Sequence, residues 1–283
     1  MEFAMYAGFS DVLKEKGAIA AADRAAELQV TAVEMFEVAG AGHPSVIPDR
    51  ESAKKVRAAL NERGLHVCCW SAYANLYTDT DAEASLCRQA ELACEIGSPF
   101  LHHTLLPGLK LGEDSPAFEE AMEKAVESAA RIAKYAEPLG ITCIYEDQGM
   151  YVNGVENFGF FLREMKNRCR NVGVCGDVGN IFFVDEKPED FFAAFKDDIL
   201  HVHLKDYLRK KADRSPGYYW LPTKGGNWLR DTMIGDGIVN IEACVNILKD
   251  AGYSGALALE NGHPEPFDIG VKQAMEAVGQ YLR

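Results

Sequence analysis

The 283-residue sequence predicts a single α/β domain, residues 1–283, closing into a (β/α)8 barrel. Short apolar runs rich in strand-forming residues recur near 2–7, 31–36, 65–71, 99–105, 141–146, 172–177, 199–206 and 256–260. Amphipathic stretches separate them, several ending in glycine. No G-x-G-x-x-G follows the first run, which removes the main cue for an open doubly wound sheet, and the count of eight favours closure.

Met1-Glu-Phe-Ala-Met-Tyr6 lacks the basic and long apolar segments of a leader peptide and reads as the first strand. Asp11–Leu28 reads as the first helix. The second run, Ala32-Val-Glu34-Met-Phe-Glu37, places Glu34 near the barrel mouth. Helix Asp49–Arg63 stops at Gly64, and the third run carries His66 at its lower end and Trp70 near its upper end. Helix Asp81–Ile96 stops at Gly97. The fourth run ends in His102-His103, of which alternation lets one face the interior. Helix Ser115–Leu139 stops at Gly140 and leads to the fifth, sixth and seventh runs.

The connection from Tyr207 to about Gly255 is long and contains one further helix, Ile241–Ala251. It carries Arg209-Lys210-Lys211 and the aromatic stretch from Tyr218-Tyr219-Trp220 to Trp228. A long loop between strands seven and eight is expected to form a lid or substrate wall, with Trp220 and Trp228 as candidates to close over a ligand. The alternatives are a surface excursion or an oligomer contact.

The 48% apolar and 25% charged composition is that of a globular chain with no bias towards disorder. A formal charge of −14 argues against a nucleic-acid partner, which calls for a basic face. Apolar runs are broken by charge before about 18 residues, so no membrane span is expected and a cytoplasmic location follows. The expected partner is a small sugar or polyol, with a homo-oligomer or partner subunit as a further expectation. The eight cysteines form no C-x-x-C pair and read as reduced, mostly buried thiols. Cys68 and Cys69, being adjacent on a strand, are expected on opposite faces.

Four acids and bases end the last four runs: Glu146, Asp177, His203 and Glu260. A lone carboxylate at a strand end is ordinarily a helix N-cap or a surface charge. In a closed parallel barrel, however, all four converge on one mouth. Three carboxylates and an imidazole there make a site for a hard or borderline divalent cation. On the seventh run His201, His203 and Lys205 share one face. Such a row is hard to explain as packing, because buried ionisable groups need partners. The small Ala256 and Ala258 below Glu260 leave room for a ligand.

The succession Tyr145-Glu146-Asp147, Gly176-Asp177-Val178-Gly-Asn180, His201-Val-His203-Leu-Lys205-Asp206, Gly235-Asp236-Gly237 and Ala258-Leu-Glu260-Asn261 resembles the xylose-isomerase-like TIM-barrel superfamily. That group includes sugar-phosphate isomerases and epimerases, ketose 3-epimerases, inosose dehydratases and dehydroshikimate dehydratases. The resemblance covers nearly the whole chain and is more specific for the fold and metal centre than for the reaction. It implies Mn2+, with Mg2+, Co2+ or Zn2+ as alternatives, held by Glu146, Asp177, His203 and Glu260. Glu146 and Glu260 would also be the catalytic pair, trading protons on either side of a metal-stabilised enediolate.

Asn180 stands where many members of that group have a histidine. It can hydrogen-bond a substrate hydroxyl but cannot act as acid or base. Lys205 is expected to bind a substrate oxygen or phosphate, to neutralise the enediolate, or to form a rim salt bridge with Asp177 or Asp206. His102 is a candidate substrate contact. Trp70, with Tyr6 and Phe36, is a candidate apolar wall against a sugar ring, although core packing is the commoner use of such residues. The functional expectation is therefore a metal-dependent isomerase or epimerase of a ketose or polyol. The competing readings are a lyase of the same superfamily (an inosose or dehydroshikimate dehydratase, or one cleaving a carbon-linked glycoside after oxidation), a non-catalytic sugar-binding or partner subunit, and a repair endonuclease. The last is disfavoured by the charge and by only seven histidines.

Overall fold

The computed structural model describes residues 1–6, 8–38, 45–110, 112, 114–260, 262 and 266–282. Ala7, at the end of the expected first strand, and Asn261 of the last motif lie outside the described residues.

Seven strands alternate with helices in the first part of the chain: β1 (Glu2–Met5), β2 (Ala32–Val38), β3 (His66–Tyr73), β4 (Phe100–His103), β5 (Thr142–Tyr145), β6 (Val172–Asp177) and β7 (Ile199–Leu204). An inserted antiparallel sheet follows, of β8 (Asp206–Lys211), β9 (Leu221–Pro222) and β10 (Asn227–Thr232). The last barrel strand is β11 (Ala256–Leu259). The barrel is closed and parallel, in the order β1-β11-β7-β6-β5-β4-β3-β2.

Its helices are α1 (Gly8–Glu27), α2 (Arg50–Asn61), α3 (Ala82–Ile96), α4 (Phe118–Ala136), α5 (Val155–Lys166), α6 (Pro188–Phe195), α7 (Ile241–Asp250) and α8 (Phe267–Gly279). Local chemistry sets their ends. Asp49 accepts the Ser52 amide at 2.8 Å to start α2. The expected breaks at Gly64, Gly97, Gly140 and Gly252 all take positive φ, between 68° and 91°, where L side chains are strained. Among the described residues no helix is long and apolar enough to cross a membrane.

The larger core lies between barrel and helices, where outward Val33, Met35, Trp70, Val202, Leu204, Leu257 and Leu259 meet helix faces such as Met122, Val126 and Ala133 of α4. A smaller cluster fills the barrel: Ala4, Ala32, Cys68, Cys69, Ile144, Cys175, Ala256 and Ala258. Cys68 and Cys69 therefore do not point apart. Between β2 and β3, Val33 pairs with Val67 but Glu34 pairs with Cys69, so Cys68 is an extra, bulged residue. Its thiol donates to the Val33 carbonyl at 3.3 Å.

The long connection is an ordered sheet rather than a plain loop. β8 runs out of the barrel directly after β7 and pairs with β10 from Asp206↔Thr232 to Lys211↔Asn227. Asp206 ties its base. Oδ2 accepts the amides of Gly235 and Gly237 at 3.0 and 2.9 Å, and Oδ1 accepts those of Tyr207 and Val239 at 2.9 and 3.0 Å. A Cβ at position 237 would lie 2.0 Å from Asp206 Oδ1, so this close approach requires glycine.

Candidate metal and substrate site

Alternation on β7 puts His201, His203 and Lys205 inside the barrel, while Val202 and Leu204 pack outward. His203 pairs laterally with Asp177 on β6 and Ala258 on β11. Glu146 directly follows β5, and the Glu260 amide donates to the Leu204 carbonyl at 2.9 Å just above β11. Four neighbouring strands thus deliver these side chains to one end of the barrel.

The two oxygens of Asp177 face different ways. Oδ1 accepts the amides of Gly179 and Asn180 at 2.7 and 2.8 Å and so starts the 3-10 turn over 180–184. Oδ2 turns inward, 3.0 Å from Lys205 Nζ and 3.9 Å from His203 Nδ1. His203 Nδ1 also lies 3.3 Å from Glu146 Oε2 and 3.5 Å from Glu260 Oε2. Ligand-type atoms of Glu146, Asp177 and His203 fall within 4.8 Å of one another. Oxygen and imidazole donors at this spacing, with Asp177 Oδ2 buried and held only by its ion pair with Lys205, fit a hard or borderline divalent cation.

Lys205 reaches into this cluster. Its Nζ lies 2.9 Å from Glu260 Oε2 and donates to Asn180 Oδ1 at 3.2 Å. The salt bridge formed is therefore with Asp177 and Glu260, while Asp206 is engaged with the inserted sheet.

Charge inside the barrel is mutually compensated. Burial opposes the Glu146 carboxylate, but His102, His203 and Lys205 hold it down at about 2. Burial likewise opposes the Lys205 ammonium, and Asp177 and Glu260 outweigh it to keep the group well above its ordinary value. For His203, burial is overcome by the Cys175 sulfur and the carboxylates of Glu34 and Glu146, so the imidazole is held well above its usual range. Burial, opposed by Lys205 and reinforced by Asp177, raises the carboxyl of Glu260 at the rim. His102 is pushed down to about 4 by burial, against the pull of Glu146.

Above these residues opens a cavity of about 300 Å3, lined by Tyr6, Phe36, Ser71, Tyr73, His102, Thr104, Glu146, Gln148 and Glu260. Among the described residues its lining includes two glutamates and no lysine or arginine. His102 is the inward member of its pair, with Nε2 3.7 Å from Glu146 Oε1. His103 turns outward onto the Tyr145 ring. Tyr6 stacks on His203, with ring centroids 5.0 Å apart, and meets Phe36 edge-on. Asn180 is buried beside Lys205, with its Nδ2 unpartnered.

Three expectations need correction. Trp70 is not in the substrate wall: it is fully buried on the outer face of β3, and its Nε1 donates to Gln89 Oε1 of α3 at 2.9 Å. The bulge at Cys68 reverses the alternation above it, sending Ser71 inward and Trp70 outward. Glu34 is not at the mouth. It lies fully buried beneath His203, in contact with His201, His203 and Ser71. Trp220 packs between Lys210 and Arg230, and Trp228 donates to the Ala212 carbonyl, so both rings serve the inserted sheet. Ser71, Thr104 and Gln148 are cavity residues that carried no sequence signal; only the bulge, invisible to alternation, places Ser71 inside.

A family model described as xylose isomerase-like TIM barrel matches residues 22–281. The chain is 23% identical over 166 residues to an inosose dehydratase from Lacticaseibacillus casei, covering 56% of this chain and 55% of that protein. It thus spans about half the length of the curated relatives it matches. A D-allulose 3-epimerase structure from Methylomonas sp. superposes with a TM-score of 0.73 at 17% identity, covering 99% of this chain and 98% of that one. A xylose isomerase-like TIM barrel protein from Mycobacterium smegmatis in complex with magnesium gives a TM-score of 0.73 at 15% identity, covering 99% and 96%. At these identities the structural likeness speaks for the fold.

Proposed function

Since the chain belongs to the xylose isomerase-like TIM-barrel family, we propose that it is a divalent-metal-dependent isomerase or epimerase of an uncharged ketose or related polyol. The observation that carries this reading is the convergence of Glu146, Asp177, His203 and Glu260 at the floor of a cavity lined by carboxylates and hydroxyls. Manganese is the first ion to test, with magnesium, cobalt and zinc beside it.

A cation held by these four residues would supply positive charge to a substrate carbonyl and make the adjoining C–H more acidic. Glu146 and Glu260 stand on strands separated by β6 and β7, so they approach a bound substrate from different sides. One takes the proton from carbon and the other returns it, which inverts or relocates the centre. Asp177 and His203 would hold the cation. The free Nδ2 of Asn180 offers a hydrogen bond to a substrate oxygen. Tyr6 and Phe36 give the sugar an apolar face, and a lining without lysine or arginine among the described residues disfavours a phosphorylated one.

Dehydration is the second reading. It is favoured by Asn180, which cannot move a proton, and by the likeness to inosose dehydratases. Incubating the metal-loaded protein with ketoses and inososes in D2O separates the two. Deuterium on the carbon beside the carbonyl, with the skeleton retained, supports isomerisation or epimerisation; loss of water supports dehydration. Neither outcome with any of the four ions, across a panel of free ketoses and inososes, would overturn the proposal.

A further inference from the structure

Below the cation ligands lies a closed hydrogen-bond network centred on Glu34, and its protons can be counted. Oε2 of Glu34 lies 2.6 Å from His201 Nε2, and Oε1 lies 3.0 Å from His203 Nε2 and in hydrogen-bond contact with Ser71 Oγ. An ionised carboxylate only accepts, so all three partners must donate to it. His203 therefore keeps a proton on Nε2; Nδ1, 3.3 Å from Glu146 Oε2 and facing Asp177 and Glu260, donates to these carboxylates without a cation and is the nitrogen whose proton a bound cation would displace.

The count continues through Ser71. Its single hydroxyl proton goes to Glu34, so its oxygen accepts from its other neighbour, His102 Nδ1, at 2.8 Å. His102 thus carries its proton on Nδ1. Its Nε2 is buried, has no hydrogen-bond partner and lies among the cavity lining. That nitrogen presents a lone pair to the ligand. It accepts from a substrate hydroxyl and offers nothing to a carbonyl.

We propose that Glu34 is a positioning residue that sets the tautomers of both site histidines, fixing His203 directly as an Nδ1 ligand and His102, through Ser71, as an Nε2 acceptor for a substrate hydroxyl. His201, on the far oxygen, locks the carboxylate in that orientation. The His203 half rests on the proposed cation site; the His102 half does not.

The test reads tautomers and affinities. In the 15N-labelled wild-type protein saturated with diamagnetic Zn2+, imidazole spectra are expected to show His203 and His102 as opposite tautomers, protonated on Nε2 and Nδ1 respectively. Glu34→Gln keeps the size of the side chain but offers one acceptor oxygen in place of two. It should weaken Mn2+ binding, measured by calorimetry, by roughly 10–100-fold. Ser71→Ala should leave Mn2+ affinity within about twofold of wild type while releasing the His102 tautomer, and Ser71→Thr should restore it. Thermal melts accompany each variant, and the wild-type spectrum decides the matter even if Glu34→Gln does not fold. Both histidines on the same tautomer, or Glu34→Gln folding with unchanged Mn2+ affinity, would overturn the inference. Failure of the wild type itself to bind any of the four cations would instead remove the proposed cation site and leave the His102 assignment to its spectrum.

Discussion

The outward placement of Trp70 makes a prediction that separates packing from binding. Trp70→Phe removes the indole N–H from Gln89 Oε1 and part of a fully buried ring. The lost apolar contact costs about 1–2 kcal/mol. Stranding the Gln89 acceptor adds roughly 1–3 kcal/mol, towards the lower end because Gln89 is 7% exposed and can turn partly to water. The expected total is about 2–4 kcal/mol in urea unfolding followed by circular dichroism, with an unchanged m-value and unchanged Mn2+ affinity. Gln89→Leu should destabilise on its own by stranding the indole N–H. The double variant should fall short of the sum by about 1 kcal/mol, since neither orphan then remains. A Trp70→Phe protein of wild-type stability with weakened ligand binding would refute both the outward placement and the bulge that explains it.

Other consequences are as direct. Burial lowers His103 from its ordinary 6.5 to about 4, so the unfolded chain binds more protons between those values. His103 should cost the fold roughly 3 kcal/mol as pH falls from about 6.5 to 4, with a plateau below; His103→Gln should flatten the pH–stability curve by that amount. Asp206→Asn replaces an acceptor by a donor opposite two backbone amides. It should destabilise by about 3–5 kcal/mol and speed hydrogen exchange at Gly235 and Gly237, or at Tyr207 and Val239, depending on the amide's orientation. Lys205→Met leaves the carboxylates of Asp177 and Glu260 without their ammonium partner. The metal-free protein should lose roughly 3–5 kcal/mol, and Mn2+ should raise its Tm by more than it raises that of the wild type.

Which parts of the site were legible in the sequence follows from where strand alternation is interrupted. On β7 the register slips between Val174 and Cys175 of its neighbour β6, so Leu200 is the extra residue there. The row His201, His203 and Lys205 begins above that slip, and reading every second residue as inward succeeds. On β3 the slip falls at Cys68, below Trp70, and the same reading fails by one residue. Glu146, Asp177 and Glu260 were legible because each stands at or just beyond the end of its strand, where barrel closure alone brings them together. The inserted sheet was not: β8 and β10 pair in an antiparallel register that no local pattern announces. Asp206, beside the Gly235-Asp-Gly237 turn in space but distant in sequence, could not be recognised as its clasp. The network under the site depends on both slips. Without the one at Cys68, Ser71 would face the helices, and Glu34 would have no route to His102. Without the one at Leu200, His201 would leave the interior and release the far oxygen of Glu34. The two strand irregularities, of which the one at Cys68 defeats a reading by alternation, are thus the features that assemble one buried carboxylate with three histidines.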